Sequence, residues 1–132
     1  MYKRQPLNWR GAIDTRTVDG RAMVDLKSHG TAVFVDIARL YALALGVAHT
    51  GTRERLEAIG PMLHVPAPDN QGWIAAFEYL QMLRLQVQLS DTPLESANLV
   101  ELQSLNHIDR HMLKESFRVA RRLMQKIELD YP

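Results

Sequence analysis

The chain has 132 residues, of which 46% are hydrophobic and 23% are charged, and these proportions predict one soluble globular domain rather than a disordered, fibrous or membrane-spanning chain. It contains no cysteine, which excludes thiolate catalysis, disulfides and cysteine-ligated metal sites, and suits a reducing cytoplasm. The 16 Lys and Arg residues nearly balance the 15 Asp and Glu residues, so any attraction to nucleic acid or to an anionic membrane must come from a local patch.

The first thirty residues predict a β-hairpin. Two short runs, Gly11 to Thr15 and Arg21 to Lys27, lie on either side of Val18-Asp19-Gly20, and an Asp-Gly pair supplies the positive φ angles that a tight hairpin turn needs. Because two strands alone are marginally stable in water, we expect the hairpin to pack on the helices or to join a sheet supplied by something else.

Two helices are predicted in the next thirty residues. Apolar side chains lie almost all round the segment from Ala32 to Leu45, and Gly46 follows as a C-terminal glycine should, so we expect this to be the most buried helix. Thr52 is placed to cap a shorter helix that continues to Ile59 and is ended by Gly60-Pro61.

A long helix follows the connector Pro66-Ala67-Pro68. It opens at Asp69 or Asn70 and continues to about Leu89, because apolar residues recur through it at three- and four-residue steps. Leu83 and Val87 are two of the residues in this stripe.

The last helix is separated from the third by a polar loop with a short apolar turn, Leu99 to Leu105, and Asn106 is placed to cap it. Three long helices and one short one predict a mainly α fold, an antiparallel four-helix-type bundle with a small N-terminal β-hairpin. We expect residues 1–132 to form a single domain, with the hairpin segment in residues 1–30 and the helical bundle in residues 31–132.

An acid and a base lie close together at the end of the second predicted strand. Asp25 and Lys27 are two residues apart, and therefore on one face of the strand. They could hold a polar ligand, although an ion pair beside a turn is the commoner explanation. Gly30, which follows, is expected to meet a requirement of the backbone.

Arg39 and Arg84 each interrupt an apolar stretch of predicted helix, and glutamines, including Gln88, flank Arg84 at three- and four-residue spacing. A planar guanidinium suits phosphate or carboxylate. Pairing inside the bundle, with Asp36 or Glu78 as partner, explains these arginines equally well, because a buried charge is usually paired.

The last helix carries a ridge of basic residues at steps of three or four. They are Arg110, Lys114, Arg118, Arg121 and Arg122. No aromatic residues interleave with them as base-stacking platforms would require, so a solvated face, partly neutralised by Asp109 and Glu115, is favoured. We therefore expect no specific nucleic-acid partner and no membrane partner.

The histidines and the common catalytic motifs give no sign of catalysis. His107 and His111 have the four-residue spacing that can share a metal, but catalytic zinc needs three ligands, so we predict surface histidines and no metal. The sequence also lacks a nucleophile elbow, a glycine-rich phosphate loop and a paired Asp-x-Asp motif. The chain alone is therefore not expected to be an enzyme.

An ordered series of motifs resembles the nucleotidyltransferase substrate-binding domain family over nearly the whole chain. The matching residues include Pro6-Leu7, Trp9-Arg10, Val24-Asp25-Leu26-Lys27 with Gly30, Ala38-Arg39, Thr52 with Arg55-Leu56, Ala76-Phe77-Glu78 with Leu80, Leu83-Arg84-Leu85 with Gln88, Asn98, and Leu113-Lys114 with Phe117. The chain departs from the family at Thr31, where a proline is usual after the glycine.

The resemblance implies a place in a longer protein. In this family the helical domain is the C-terminal part of bacterial signal-transduction proteins, after cyclic-nucleotide-binding or CBS domains and a nucleotidyltransferase-like domain related to the uridylyltransferases of nitrogen signalling. That preceding domain carries the acidic catalytic motif. The nucleoside triphosphate and Mg²⁺ are implied for the parent protein, and none of this domain's own residues is implied to be catalytic.

The resemblance also favours a functional role for five residues. It implies that Lys27, Arg39 and Arg84 hold anionic groups of a nucleotide or of a protein acceptor, while Asp25 and Gln88 orient them. The first hypothesis is thus a non-catalytic substrate-binding domain. The second is a helical interaction or dimerisation module, for example in a homodimer, with no small-molecule ligand.

Overall fold

The computed structural model of the protein describes residues 13–90 and 98–132. This part contains four helices: α1 (Ala32–Leu45), α2 (Thr52–Met62), α3 (Ala67–Leu89) and α4 (His107–Asp130). Helices α1 and α3 each pack against both α2 and α4. The predicted mainly α fold with a small N-terminal hairpin is confirmed. No helix in the described ranges is long and apolar enough to cross a membrane.

The predicted hairpin consists of β1 (Arg16–Val18) and β2 (Arg21–Asp25). Asp19 and Gly20 join the strands with φ angles of 52° and 76°, both in the left-handed region that a two-residue type I′ turn requires. Val18 pairs with Arg21, so β1 has to end at the turn. The prediction that the first strand lies between Gly11 and Thr15 was therefore wrong. Residues 11 and 12 of that run lie outside the described residues.

A third strand, β3 (Leu99–Glu101), pairs antiparallel with β2, and Val100 lies opposite Val24. The sequence predicted only an apolar turn here, because three residues are too few to display the alternation of a strand. A 3₁₀ turn from Leu102 to Ser104 follows. The third strand is supplied by this chain, and it gives the marginal hairpin a second antiparallel partner.

The predicted bounds of α1 are confirmed, and Gly46 ends the helix with a φ of 74°. As predicted, α1 has the largest share of buried residues among the four helices, but burial is confined to one face. One face, including Phe34 and Tyr41, is buried, whereas Leu43 on the other face is 74% exposed. The reason is that the described elements against which α1 packs, mainly α2, α4 and the segment before α1, lie along its buried face.

The second helix differs from the prediction at both ends. Thr52 is its first residue, preceded by Gly51 and without a side-chain cap. The helix continues through Pro61 although a proline lacks a backbone donor, and the N–H of Leu63 still donates to the carbonyl of Ile59 at 2.9 Å.

The proline-rich connector also proved to be partly helical. Helix α3 begins at Ala67, two or three residues earlier than predicted, with Pro68 in its first turn. A backbone N–H in that turn has no intrahelical acceptor, so proline costs nothing there. The predicted cap of α4 is confirmed, since the side-chain oxygen of Asn106 accepts a hydrogen bond of 2.7 Å from the N–H of Asp109.

The core lies between the four helices and the sheet. Its largest fully buried side chains come from all four helices, from β2 and from the residue that follows β2, and they include Tyr41, Phe34, Phe117, Leu26, Leu56 and Leu80. The rings of Phe34 and Phe77 lie 6.0 Å apart between α1 and α3. Leu26 thereby fixes the end of the sheet to the bundle, next to the candidate site.

Candidate functional site

A short π-helical segment from Lys27 to Thr31 connects β2 to α1. One carboxylate oxygen of Asp25 accepts hydrogen bonds from the backbone N–H groups of Lys27, at 3.1 Å, and Ser28, at 2.9 Å. Asp25 therefore shapes the turn with its side chain. An ion pair between the two residues was the commoner explanation, but none joins Asp25 to Lys27 among the described residues.

The backbone of this segment is held firmly, whereas Lys27 is exposed to solvent. The fully buried Leu26 donates its N–H to the carbonyl of Asn98 at 2.8 Å. Because the backbone is fixed and the side chain is exposed, the Lys27 ammonium group can meet a ligand at a defined place.

Gly30 allows the segment to lie directly on α3 and α4. A Cβ atom at this position would lie 3.2 Å from Leu80 Cδ1 and 3.2 Å from Phe117 Cε1, closer than ordinary van der Waals contact. Gly30 does not have a positive φ angle, so it is required for close packing with side chains and not for a special backbone conformation.

Arg84 joins three parts of the chain. From α3, its Nε donates to the side-chain oxygen of Asn98 at 2.7 Å, and its Nη1 lies 3.4 Å from the hydroxyl oxygen of Thr31. Both partners are uncharged. Glu78, one of the two carboxylates considered as partner, instead accepts from Arg53 at 2.9 Å, and within residues 13–90 and 98–132 no carboxylate pairs with Arg84.

The five predicted site residues do not all come together. Asp25, Lys27 and Arg84 lie around one junction, since Arg84 bonds Thr31 at the end of the segment that Asp25 begins. Gln88 is exposed one turn beyond Arg84 and so shares its side of α3. Arg39 lies on the exposed face of α1, eight residues and about 12 Å of helical rise beyond Thr31.

Sequence reasoning missed two residues that contact the Arg84 guanidinium. Asn98 was noted only as part of the family resemblance, and Thr31 only as a departure from it. Thr31 is 2% exposed, and a buried hydroxyl needs a hydrogen-bond partner. Its position after Gly30 was the available signal, but the sequence gives no way to foresee a partner 53 residues away.

His29 adds a polar atom to the same segment. Its Nδ1 is buried and has no hydrogen-bond partner within the described ranges. Within the described chain, no group of three His, Asp or Glu side chains is arranged to hold a metal ion. The carboxylate of Asp25 is engaged with the backbone of the turn, and the other side chains of the junction are cations and neutral hydrogen-bonding groups, which suit an anion.

The basic ridge of α4 is partly occupied by contacts within the domain. Arg110 donates to the carbonyl of Leu105 at 3.1 Å, and Arg118 pairs with Glu115. Asp109 was predicted to neutralise part of the ridge. Its carbonyl and carboxylate oxygens instead lie 3.2 and 3.4 Å from the hydroxyl of Tyr79.

The comparison with protein families gives one match, to the family described as "Putative nucleotidyltransferase substrate binding domain", over residues 1–131. The chain belongs to this family. No curated protein and no solved structure gives a significant match. In this substrate-binding domain, the Lys27 and Arg84 junction is formed from segments that carry the family resemblance.

Proposed function

We propose that this domain holds a nucleotide, or the acceptor of a nucleotidyl group, against a separate nucleotidyltransferase-like domain of the same parent chain, and supplies no catalytic group. The observation that carries the proposal is the state of Arg84. Its guanidinium is oriented by Thr31 and Asn98 at 3.4 and 2.7 Å, but neither partner neutralises it. A half-buried guanidinium held in this way is ready to receive a phosphate or carboxylate.

The remaining residues of the junction have distinct roles in this proposal. Lys27 adds a second, exposed cation for the anionic group. Gln88, one turn beyond Arg84, offers an amide that can donate or accept a hydrogen bond. Asp25 is a positioning residue, because its carboxylate holds the turn that presents Lys27.

Arg39 stands apart from this arrangement. It lies on the exposed face of α1 and has no contact with the Arg84 junction among the described residues. We therefore assign the anion to Lys27 and Arg84. Arg39 could act only on a second group of the ligand or on the neighbouring domain.

The wider setting of the proposal rests on the family resemblance. It is a cytoplasmic bacterial signalling protein in which cyclic-nucleotide-binding or CBS domains regulate the nucleotidyltransferase-like domain. The nucleoside triphosphate and its Mg²⁺ would meet the acidic catalytic groups of that domain. The helical domain would then determine which substrate lies beside them.

The test is a titration of the ¹⁵N-labelled chain with ATP and with UTP, followed by NMR. We expect a confined set of shifts around Lys27, Thr31 and Arg84. Arg84→Gln should weaken binding about tenfold, because it removes one charge-assisted contact. Arg53→Gln is the matched control: it removes the same charge from an arginine that already bonds two carboxylates, and it should leave the affinity unchanged.

Two outcomes would overturn the proposal. One is the absence of shifts at millimolar nucleotide while a longer parent chain binds nucleotide independently of Arg84. The other is an equal loss in the Arg53→Gln and Arg84→Gln variants. Either result would favour the interaction module, for which Leu85 and Leu89 offer an exposed apolar stripe on α3, 53% and 78% exposed.

A further inference from the structure

A concavity lies between the α2–α3 connection and the last turns of α4. It has a volume of about 470 Å³, within the range of small-molecule sites. Trp73, in its wall, is eleven residues from Arg84 along α3, or about 16 Å of helical rise. The cavity is therefore distinct from the Arg84 junction.

The walls of this cavity are apolar and partly aromatic. Val65 comes from the α2–α3 connection, Trp73 from α3, and Val119 and Leu123 from α4. Trp73 and Leu123 are 6% and 1% exposed, so Trp73 offers only an edge to the cavity, and the partly exposed Val65 and Val119 supply more of its apolar surface. This wall suits an apolar ring that packs on the two valines and meets the edge of Trp73, because an edge contact between aromatic rings needs no rearrangement of the protein.

The rim carries charge of predominantly one sign. Arg122 and Lys126 lie one turn apart on α4. Lys126 is partly neutralised, since its Nζ lies 3.3 Å from a carboxylate oxygen of Asp130. Arg122 is exposed and has no ion-pair partner among residues 13–90 and 98–132.

Two further polar residues, Asp69 and His64, line the rim of the cavity. Asp69 is the acidic residue of the lining, but it lies in the first turn of α3, where the helix dipole offsets a negative charge. His64, held at a φ of 56°, adds an imidazole that carries no negative charge. The uncommitted charge of the cavity is therefore the Arg122 guanidinium.

We propose that this cavity binds a small aryl anion, an aryl phosphate or aryl carboxylate, with the ring on the two valines and the edge of Trp73 and the anionic group on Arg122. The apolar walls account for the ring, and the Arg122 guanidinium, which has no ion pair within the described ranges, accounts for the anion. The site does not depend on nucleotide binding at Arg84.

The test uses the fluorescence of Trp73. The chain contains two tryptophans, so the Trp9→Phe variant makes Trp73 the sole reporter. We expect a saturable change on titration with phenyl phosphate, and weaker binding of phenol and of inorganic phosphate, each of which carries half of the recognised chemistry. A parallel titration with benzoate shows whether the site prefers phosphate or carboxylate.

Two variants test whether the ligand binds in this cavity. Arg122→Gln, in the Trp9→Phe background, should weaken the affinity for phenyl phosphate about tenfold. Arg16→Gln is the matched control, because it removes the same charge from an exposed residue of β1, and it should have no effect. The proposal is refuted if no saturable change occurs at millimolar phenyl phosphate, if inorganic phosphate binds equally well, or if the two variants behave alike.

Discussion

The contact between Tyr41 and Asp130 joins the first helix to the last, and its removal makes a sharp test of the fold. The Tyr41 hydroxyl, on a fully buried side chain, donates a hydrogen bond of 2.6 Å to a carboxylate oxygen of Asp130. Burial, followed by the bond to Asp130, raises the pKa of Tyr41 above its ordinary value. The Tyr41→Phe substitution deletes the hydroxyl and keeps the ring.

The expected cost follows from the exposure of the two partners. A hydrogen bond to a charged group contributes about 1.5–3 kcal/mol when its loss leaves that group buried and unsatisfied. Asp130 is exposed, so water replaces the lost donor. We therefore expect Tyr41→Phe to lower the free energy of unfolding by about 1 kcal/mol at pH 7, and Tm by roughly 4 °C.

The sign of the pH dependence is also fixed. The bond from Tyr41, and then the neighbouring Lys126, lower the pKa of Asp130. A carboxyl whose pKa is lowered by folding stabilises the protein above its ordinary pKa near 4, and that contribution is lost as the pH falls through the folded value. The deficit of the variant should therefore shrink between pH 7 and pH 3.

Urea unfolding followed by circular dichroism at both pH values checks this. Tyr131→Phe is the control, since the ring of Tyr131 lies 5.8 Å from that of Tyr41 but its side chain is 45% exposed, and it should change stability by less than about 0.5 kcal/mol. The reasoning is refuted if Tyr41→Phe is as stable as the parent at pH 7, or if its deficit is the same at pH 3.

Two further substitutions test local features by urea unfolding. Gly30→Ala should destabilise the protein by about 1 kcal/mol, because its Cβ would lie 3.2 Å from Leu80 and Phe117. Gly72→Ala, whose Cβ would have no atom within 4 Å, should stabilise α3 by about 0.5 kcal/mol. Equal effects of the two substitutions would contradict the close-packing argument. Asn106→Ala should cost about 1 kcal/mol through loss of the α4 cap, and Asn106→Asp should restore most of it, so a neutral alanine variant would show that the cap contributes nothing.

The long helices could be predicted because their information is local. The periodic apolar residues and Gly46 give the bounds of α1, and Asn106 gives the start of α4. The strand β3 could not be predicted in this way, because its three residues become a strand only by pairing with β2. The continuation of α2 through Pro61 likewise depends on hydrogen bonds that survive around the proline.

The candidate site was predictable as a set of residue types and not as a set of contacts. Helical spacing relates Arg84 to Gln88 on one helix. It cannot relate Arg84 to Thr31, which precedes α1, or to Asn98, which precedes β3. The two explanations of Arg84, an internal ion pair and an anion site, therefore could not be separated until its partners were known.

The contrast between two arginines separates those explanations physically. Arg53 bonds Glu57 and Glu78, each at 2.9 Å, so its charge is already matched and a further anion would have to displace a carboxylate. Arg84 bonds an amide and a hydroxyl, which restrict its orientation without matching its charge, and no carboxylate in residues 13–90 and 98–132 pairs with it. A half-buried charge without a counterion is costly to maintain, and a ligand anion that neutralises it recovers that cost on binding. Partial burial therefore raises the free energy of the Arg84 charge in the isolated domain. It thus favours binding of an anionic ligand at this junction over binding at the exposed Arg39.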